Sequence, residues 1–215
     1  MKKTPITLAV LAVAFVLFVP KAPAFETNAT PADVEAKYTA AIEGRTADIL
    51  KILALTDADK TAKVHDAIIA QYRALNAWHD ENDAKLKAAA KDTNAVAQIR
   101  ASLKTAHDAF LAKLSESLTP AQVEQVKDKM TYGKVQFTYA GYMTAYPNLA
   151  EEHKQKILEL LKLAREEAMD GGSAEEKTAI FQKCKGKMNN YLSKQGVHPE
   201  KKNKAAQPET NAPAK

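Results

Sequence analysis

Apolar residues recur every three to four positions along most of the chain, and breaks in that rhythm divide it into helices. Val34, Tyr38, Ile42, Ile49 and Leu53 form the first stripe. Thr30-Pro31 stands before it as an N-cap and a proline at the first helical position. This helix runs from Pro31 to about Leu55, and Gly44 within it implies close approach of a neighbouring helix. Thr56 or Asp57 caps a second helix from about Ala58 to Lys91, with Val64, Ile68, Tyr72 and Leu75 as its stripe. At about 1.5 Å per residue it is a rod near ~50 Å long. After a turn at Asp92-Thr93-Asn94, a third helix returns from Ala95 to Leu118 with Val96, Ile99, Leu103, Phe110 and Leu114 facing inward. Helices two and three read as a long antiparallel hairpin.

Leu118-Thr-Pro-Ala-Gln then has the form of a capping box, opening a short helix through Val123 and Val126 to Met130. Further on, Asn148 or the turn after it caps a helix whose buried face is Ile157, Leu160, Leu161, Ala164 and Ala168. Gly171-Gly172 ends that helix through a left-handed C′ position. Ser173 with Glu176 reads as the capping box of a last helix, which stops at Gly196. Residues 198–215 have no periodicity and are expected to form a disordered basic tail. The pattern as a whole predicts an all-α domain of about six helices over residues 25–197.

The stretch Met130–Leu149 departs from the surrounding Ala, Lys, Glu and Leu. It holds four of the seven tyrosines (Tyr132, Tyr139, Tyr142 and Tyr146), with Phe137, Gly133, Gly141 and Pro147. Lys134 to Tyr139 alternates polar and apolar as a strand does. Val135, Tyr139, Tyr142 and Tyr146 also share one helical face. A lone strand would have no partner in this chain, which favours a short helix from Lys134 to Ala145 ended by Pro147.

Composition changes the picture at the two ends. Lys2, Lys3 and the apolar run Ile6–Val19, followed by Ala22-Pro23-Ala24, form a signal-peptide pattern over residues 1–24. The expected mature protein is exported to the periplasm or the cell exterior, with no stable membrane insertion after cleavage. The net charge of +5 is not spread over the domain. Three of the 31 basic residues lie in 1–24 and four in 201–215, where one of the 26 acids also lies, leaving 24 basic and 25 acidic residues between. A near-neutral body gives no footprint for a phosphate backbone, so no nucleic-acid partner is expected. The single cysteine, Cys184, excludes an internal disulfide and shares a helical face with Ile180, Met188 and Tyr191, which points to burial.

The sequence carries no phosphate loop, nucleophile elbow, paired-cysteine site or zinc-peptidase helix. No cofactor, no metal and no catalytic residue is assigned. His79 and Asp83 have ligand spacing and His107 could face them, but such groups on a charged helix are ordinarily solvated. Trp78 reads as hairpin packing. The tyrosines suit stacking on sugar rings, with Lys134 and Gln136 beside them for hydrogen bonds and glycines leaving room for a ligand. Arg165, Glu166 and Asp170 form a polar group on the following long helix, and Asn189-Asn190 adds amides on the last one. They are structural ion pairs unless they converge with the tyrosines into a polar-aromatic cleft. Glu166 with Asp170 or Glu167 could supply a carboxylate pair for glycosidic cleavage, but two acids on one helix seldom flank a bond.

Four runs, Thr131-Tyr-Gly-Lys-Val-Gln-Phe-Thr-Tyr-Ala-Gly-Tyr, Tyr146-Pro-Asn-Leu, Arg165-Glu-Glu-Ala-Met-Asp-Gly-Gly-Ser and Lys185-Gly-Lys-Met-Asn-Asn-Tyr-Leu, resemble the signature of a family of exported bacterial helical proteins of unknown function. Cys184 and Met188 stand where that signature has Tyr and a β-branched residue. The resemblance implies sugar binding. A narrower one, Leu118 to Gln122, is to exported helical chaperones. The expected function is that of a non-catalytic, carbohydrate-binding accessory protein with an oligosaccharide or polysaccharide partner. The expected ligand residues are Tyr132, Lys134, Gln136, Tyr139, Tyr142, Tyr146, Arg165, Asp170 and Asn190. The alternative is a periplasmic chaperone or interaction module that uses the hairpin face.

Overall fold

The structure, a computed structural model, describes residues 30–200. The expected signal peptide over residues 1–24, residues 25–29 and the expected tail from 201 onward lie outside the described residues. Among these the protein is all-helical: α1 Pro31–Leu53, α2 Ala58–Ala88, α3 Thr93–Ser115, α4 Pro120–Met130, α5 Lys134–Ala145, α6 Glu151–Met169 and α7 Ala174–Lys194. Seven helices stand where about six were expected, and the short helix expected from Lys134 to Ala145 is α5, with those bounds.

Capping chemistry sets most boundaries. Thr30 accepts from the Asp33 amide while the Asp33 carboxylate accepts from the Thr30 amide, and Thr119 with Gln122 closes the same box at α4. Asp57 rather than Thr56 caps α2, and Asp92 takes the amides of Asn94 and Ala95 at the start of α3. At α6 the second of the two expected cap positions is used, and at α7 the expected box is only half closed. The α6 N-cap is Ala150, without a side-chain bond, because Asn148 turns away to donate to Glu200. At α7, Ser173 accepts from Glu176, but the Glu176 carboxylate reaches past the cap to the Gly172 amide at 2.8 Å.

The helices divide into two cores. α1 to α4 enclose Ile42, Ile49, Ile68, Phe110, Leu114 and Val126. α5 to α7 enclose Val135, Ile157, Leu161, Phe181, Met188 and Leu192. Each such side chain contributes roughly 1.5–3 kcal/mol by leaving water. Met169, the last residue of α6, packs into the first core and joins the two. Cys184 is buried in the second, where its thiol donates to the Leu160 carbonyl at 3.3 Å. The hairpin forms as expected, and Trp78 ties its arms by donating from Nε1 to Ser102 Oγ at 2.9 Å.

Four expectations are corrected. Gly44 is exposed, with no atom within 4 Å of a Cβ built there, so no helix approaches it. Val34 is 57% exposed because α1 extends past the core at its N-terminal end. Gly171 and Gly172 are not left-handed. A Cβ on Gly172 would lie 2.7 Å from the His79 ring, so the α6–α7 turn needs glycine there for space. Finally, residues 198–200 are held to the domain: the Glu200 amide donates to the Ala145 carbonyl at 3.0 Å, capping the end of α5.

Substituting Gly172→Ala should destabilise the fold by about 1–3 kcal/mol, the usual cost of overpacking, measured as a lowered urea midpoint. Adding His79→Ala should relieve the clash, so the double variant should lose less than the two single losses added together.

Candidate functional site

Helix α5 follows a strained turn. Tyr132 and Gly133 are both left-handed, at φ 59° and 62°, and the Gly133 amide closes back onto the Asp128 carbonyl at 2.8 Å. Glycine adopts that conformation freely, whereas a tyrosine there carries strain. The reversal directs Val135, Thr138 and Tyr142 inward and leaves Phe137 80% exposed. The Tyr142 hydroxyl donates to Asn189 Oδ1 at 2.6 Å and lies 3.3 Å from the Lys185 carbonyl, and burial pushes it up to about 12. Tyr146 stacks on Tyr142 with ring centroids 5.8 Å apart and planes 11° from parallel.

Along this face a groove of about 560 Å³ runs between α5 and α7, walled by Phe137, Tyr142, Tyr146, Lys185, Asn189 and Pro199. Gly141 also lines it and has nothing within 4 Å of a Cβ position. The groove is mainly apolar, with an amide and an amine at its edge.

The remaining expected ligand residues lie elsewhere. Tyr139 is half-buried against the α5–α7 core. Gln136 donates to Asp128 Oδ2 at 2.6 Å, and Lys134 makes no side-chain hydrogen bond among the described residues. Asn190 is exposed on α7, and its neighbour Asn189 is the amide that meets the tyrosines. Tyr132 is turned toward α1 and α7. Arg165 and Asp170 line no cavity shared with any tyrosine. Phe137, Asn189 and Lys185 also line this groove, though they are not among the expected ligand residues. Their signal was an aromatic residue off the shared tyrosine face, together with the polar run Lys185 to Asn190.

Arg165 and Asp170 belong to a charged seam where α6 meets α3 and α4. The Arg165 guanidinium, 2% exposed, donates to Asp128 at 2.7 Å, to Glu124 at 2.6 Å and to Glu166 at 3.1 Å. Its Nε is buried without a partner. Burial opposes the charge, and the carboxylates of Asp128 and Glu124 outweigh it, so this arginine is held even more firmly protonated than usual. Lys127 donates to the other oxygen of Glu166 at 2.9 Å. His107 sits between Asp170, 3.0 Å from Nδ1, and Glu166, 3.5 Å from Nε2. Both ring nitrogens face carboxylates, which favours the imidazolium: chiefly through Asp170, then Glu166, His107 is raised to about 9. Burial alone would raise Glu166, but His107 and Lys127 hold it down at about 2. It is ionised at neutral pH and has no proton to give as a general acid.

His79 completes the chain of contacts. Its Nε2 donates to the Asp170 carbonyl at 2.7 Å and its Nδ1 lies 2.8 Å from Asp83. The expectation that His79 and His107 are solvated is overturned: they are 7% and 8% exposed and meet through Asp170. Hairpin and α6 pack there because that residue offers a carbonyl to one histidine and a carboxylate to the other. Among the described residues no group of three or more His, Cys, Asp and Glu side chains is arranged to hold a metal ion. None of the described helices is long and apolar enough to cross a membrane.

Residues 39–212 match the family model described as protein of unknown function (DUF3826). No curated protein matches the chain.

Replacing Arg165 by Met should cost about 1–3 kcal/mol, because three half-buried carboxylates lose their cation and its hydrogen bonds, read as a shift in denaturant midpoint. The seam should also shape stability against pH. His107, raised from 6.5 to about 9, contributes fully below pH 6.5, and that contribution is lost as pH rises through 9. Glu166, lowered from 4.5 to about 2, contributes above pH 4.5 and loses its share as pH falls toward 2. A plot of Tm against pH should therefore decline from neutral to pH 9, and His107→Gln should flatten that alkaline decline and also shrink the acid limb, because His107 helps to hold Glu166 down.

Proposed function

We propose that this chain, which belongs to the DUF3826 family, is an exported, non-catalytic protein that binds carbohydrate in the groove between α5 and α7. The observation that carries the reading is Phe137. A phenylalanine 80% exposed on a well-packed helix costs solvation energy that nothing in the domain returns. It stands on the rim of a groove that also presents the stacked Tyr142–Tyr146 pair. Flat apolar rings at a groove edge match the C–H faces of pyranose rings. The Asn189 amide and the Lys185 amine are placed to meet hydroxyl groups at its side. Tyr142 is anchored by its bond to Asn189, so the platform is formed before a ligand arrives.

Export is supported by the basic and apolar pattern of residues 1–24. The non-catalytic reading is supported by the state of the acids. Glu166 and Asp170 are committed to His107, Lys127 and Arg165, and neither lines the groove of the aromatic rings. Against an interaction module that uses the hairpin, none of the exposed large apolar side chains lies on α2 or α3.

Isothermal titration against a panel of neutral plant and host oligosaccharides should find at least one ligand. Phe137→Ala and Tyr146→Ala should each weaken it by about tenfold, the scale of a lost aromatic contact. Folding should persist, since neither side chain is buried in a core. A panel without binding, or binding indifferent to both substitutions, would sink the assignment.

A further inference from the structure

A second cavity system adjoins the Tyr132–Gly133 turn. Its inner compartment, of about 60 Å³, is lined by Tyr38, Arg45, Tyr72, Tyr132 and Lys177 and reaches the α6–α7 turn. An outer compartment of about 270 Å³ shares Arg45, Tyr72 and Tyr132 with it and adds Asp48 and Lys129. Tyr132, in its strained left-handed conformation and 49% exposed, stands where the two meet.

The charge arrangement here is unlike that at the seam. Lys177 is 5% exposed, and no carboxylate pairs with it among the described residues. One of its three ammonium donors goes to the Met130 carbonyl at 3.1 Å. The acids nearest it are engaged elsewhere: Asp170 with His107, and Glu176 with the Gly172 amide. Arg45 also makes no ion pair among the described residues, and its guanidinium lies over the Tyr72 ring, 5.9 Å from the centroid. Burial, and then the repulsion of Arg45, push Lys177 down to about 8. A buried cation beside a second cation costs several kcal/mol unless an anion joins them. Every carboxylate of the Arg165 seam has its cation, whereas here two cations share a cavity with room for one small charged group.

We propose that the pocket of Arg45, Lys177 and Tyr132 binds the carboxylate of an acidic sugar, with the carboxylate in the inner compartment and the ring beneath Tyr132 in the outer one. Arg45 is placed to take the carboxylate as a fork, and Lys177 to take it as a point charge. Tyr38, Asn76, Tyr132 and Ser173 are neutral donors in the lining, of which Tyr38 already donates to the Tyr72 carbonyl at 2.7 Å and Asn76 to Asp80. The one acid in the lining, Asp48, lies in the outer compartment, where it can accept from ring hydroxyls. That a sugar carries the carboxylate rests on the carbohydrate reading above. The pocket itself shares no residue with the α5–α7 groove.

The test is calorimetric titration of the whole chain with glucuronate, glucose, acetate and inorganic sulfate. Glucuronate should bind at least about tenfold more tightly than each of the other three, since only it fills both compartments. Arg45→Gln, at an exposed position that does not threaten folding, should weaken glucuronate by about tenfold. Lys177→Met should do the same, and Phe137→Ala should leave it unchanged. Near pH 8, binding should take up protons, because an anion beside Lys177 favours its charged form, and this is read from the dependence of enthalpy on buffer. Sulfate binding as well as glucuronate, or Arg45→Gln binding as the parent does, would overturn the proposal. Loss of neutral-glycan binding in Phe137→Ala reports on the groove alone, so the two readings fail separately.

Discussion

The Arg165 guanidinium is the interaction on which the rest of the arrangement depends. It lies in the seam between two helical cores that apolar packing alone would leave free to slide, since leucine and isoleucine surfaces tolerate many registers. Three carboxylates from α4 and α6 fix its position. Taking a guanidinium and its partners out of water costs several kcal/mol per ion, and only one placement of the helices returns that energy through short bonds. The same register brings Asp170 between His79 and His107, and thereby docks the hairpin against the α6–α7 turn. Gly172 is the steric counterpart of this docking, the position where a methyl group would strike His79.

With the seam set, the aromatic residues of Met130–Leu149 take three separate roles. The left-handed pair Tyr132–Gly133 turns the chain sharply between α4 and α5, so Tyr132 leaves the face of the other tyrosines and joins Tyr38 and Tyr72. Tyr139 and Tyr142 go to the second core, where the Tyr142 hydroxyl is satisfied by α7. Phe137 and Tyr146 line the α5–α7 groove, Phe137 with most of its ring in solvent. Polar-tipped rings can serve either packing or recognition, and here the hydroxyl partner separates the two uses. The two proposed sites share no lining residue, and the strained turn lies between α4 and α5 in the chain.

The fold was legible to the extent that its determinants are local. Thr30, Thr119 and Ser173 act on amides within three residues of themselves, so their caps could be read directly from the order of side chains. The stripes of α2, α3 and α6 followed from helical spacing, and the hairpin from a short polar turn between two long stripes. Gly44 and Gly172 show where this ends. Both are glycines in or beside helices, yet only Gly172 has a neighbour, His79, which lies more than ninety positions away in the chain. The candidate site was legible as a region and not as a set of side chains. The expected ligand set put Tyr132 together with Tyr142, whereas the positive φ at Tyr132 and the turn there separate them. Helical spacing left out Phe137, whose value lies in facing away from the core.

Helix count apart, local pattern was enough for the class of fold, the long hairpin, the buried thiol of Cys184 and the aromatic stretch as the place to look. Hydrogen bonds between near neighbours and the burial period of a helix depend only on nearby residues. The pairing of Arg165 with Asp128 and Glu124, the meeting of two histidines on Asp170, and the division of the tyrosines between core, groove and second pocket were decided by tertiary structure. Each depends on groups tens of residues apart, and charges or rings at that separation acquire partners only when the packing of whole helices brings them within a few ångströms.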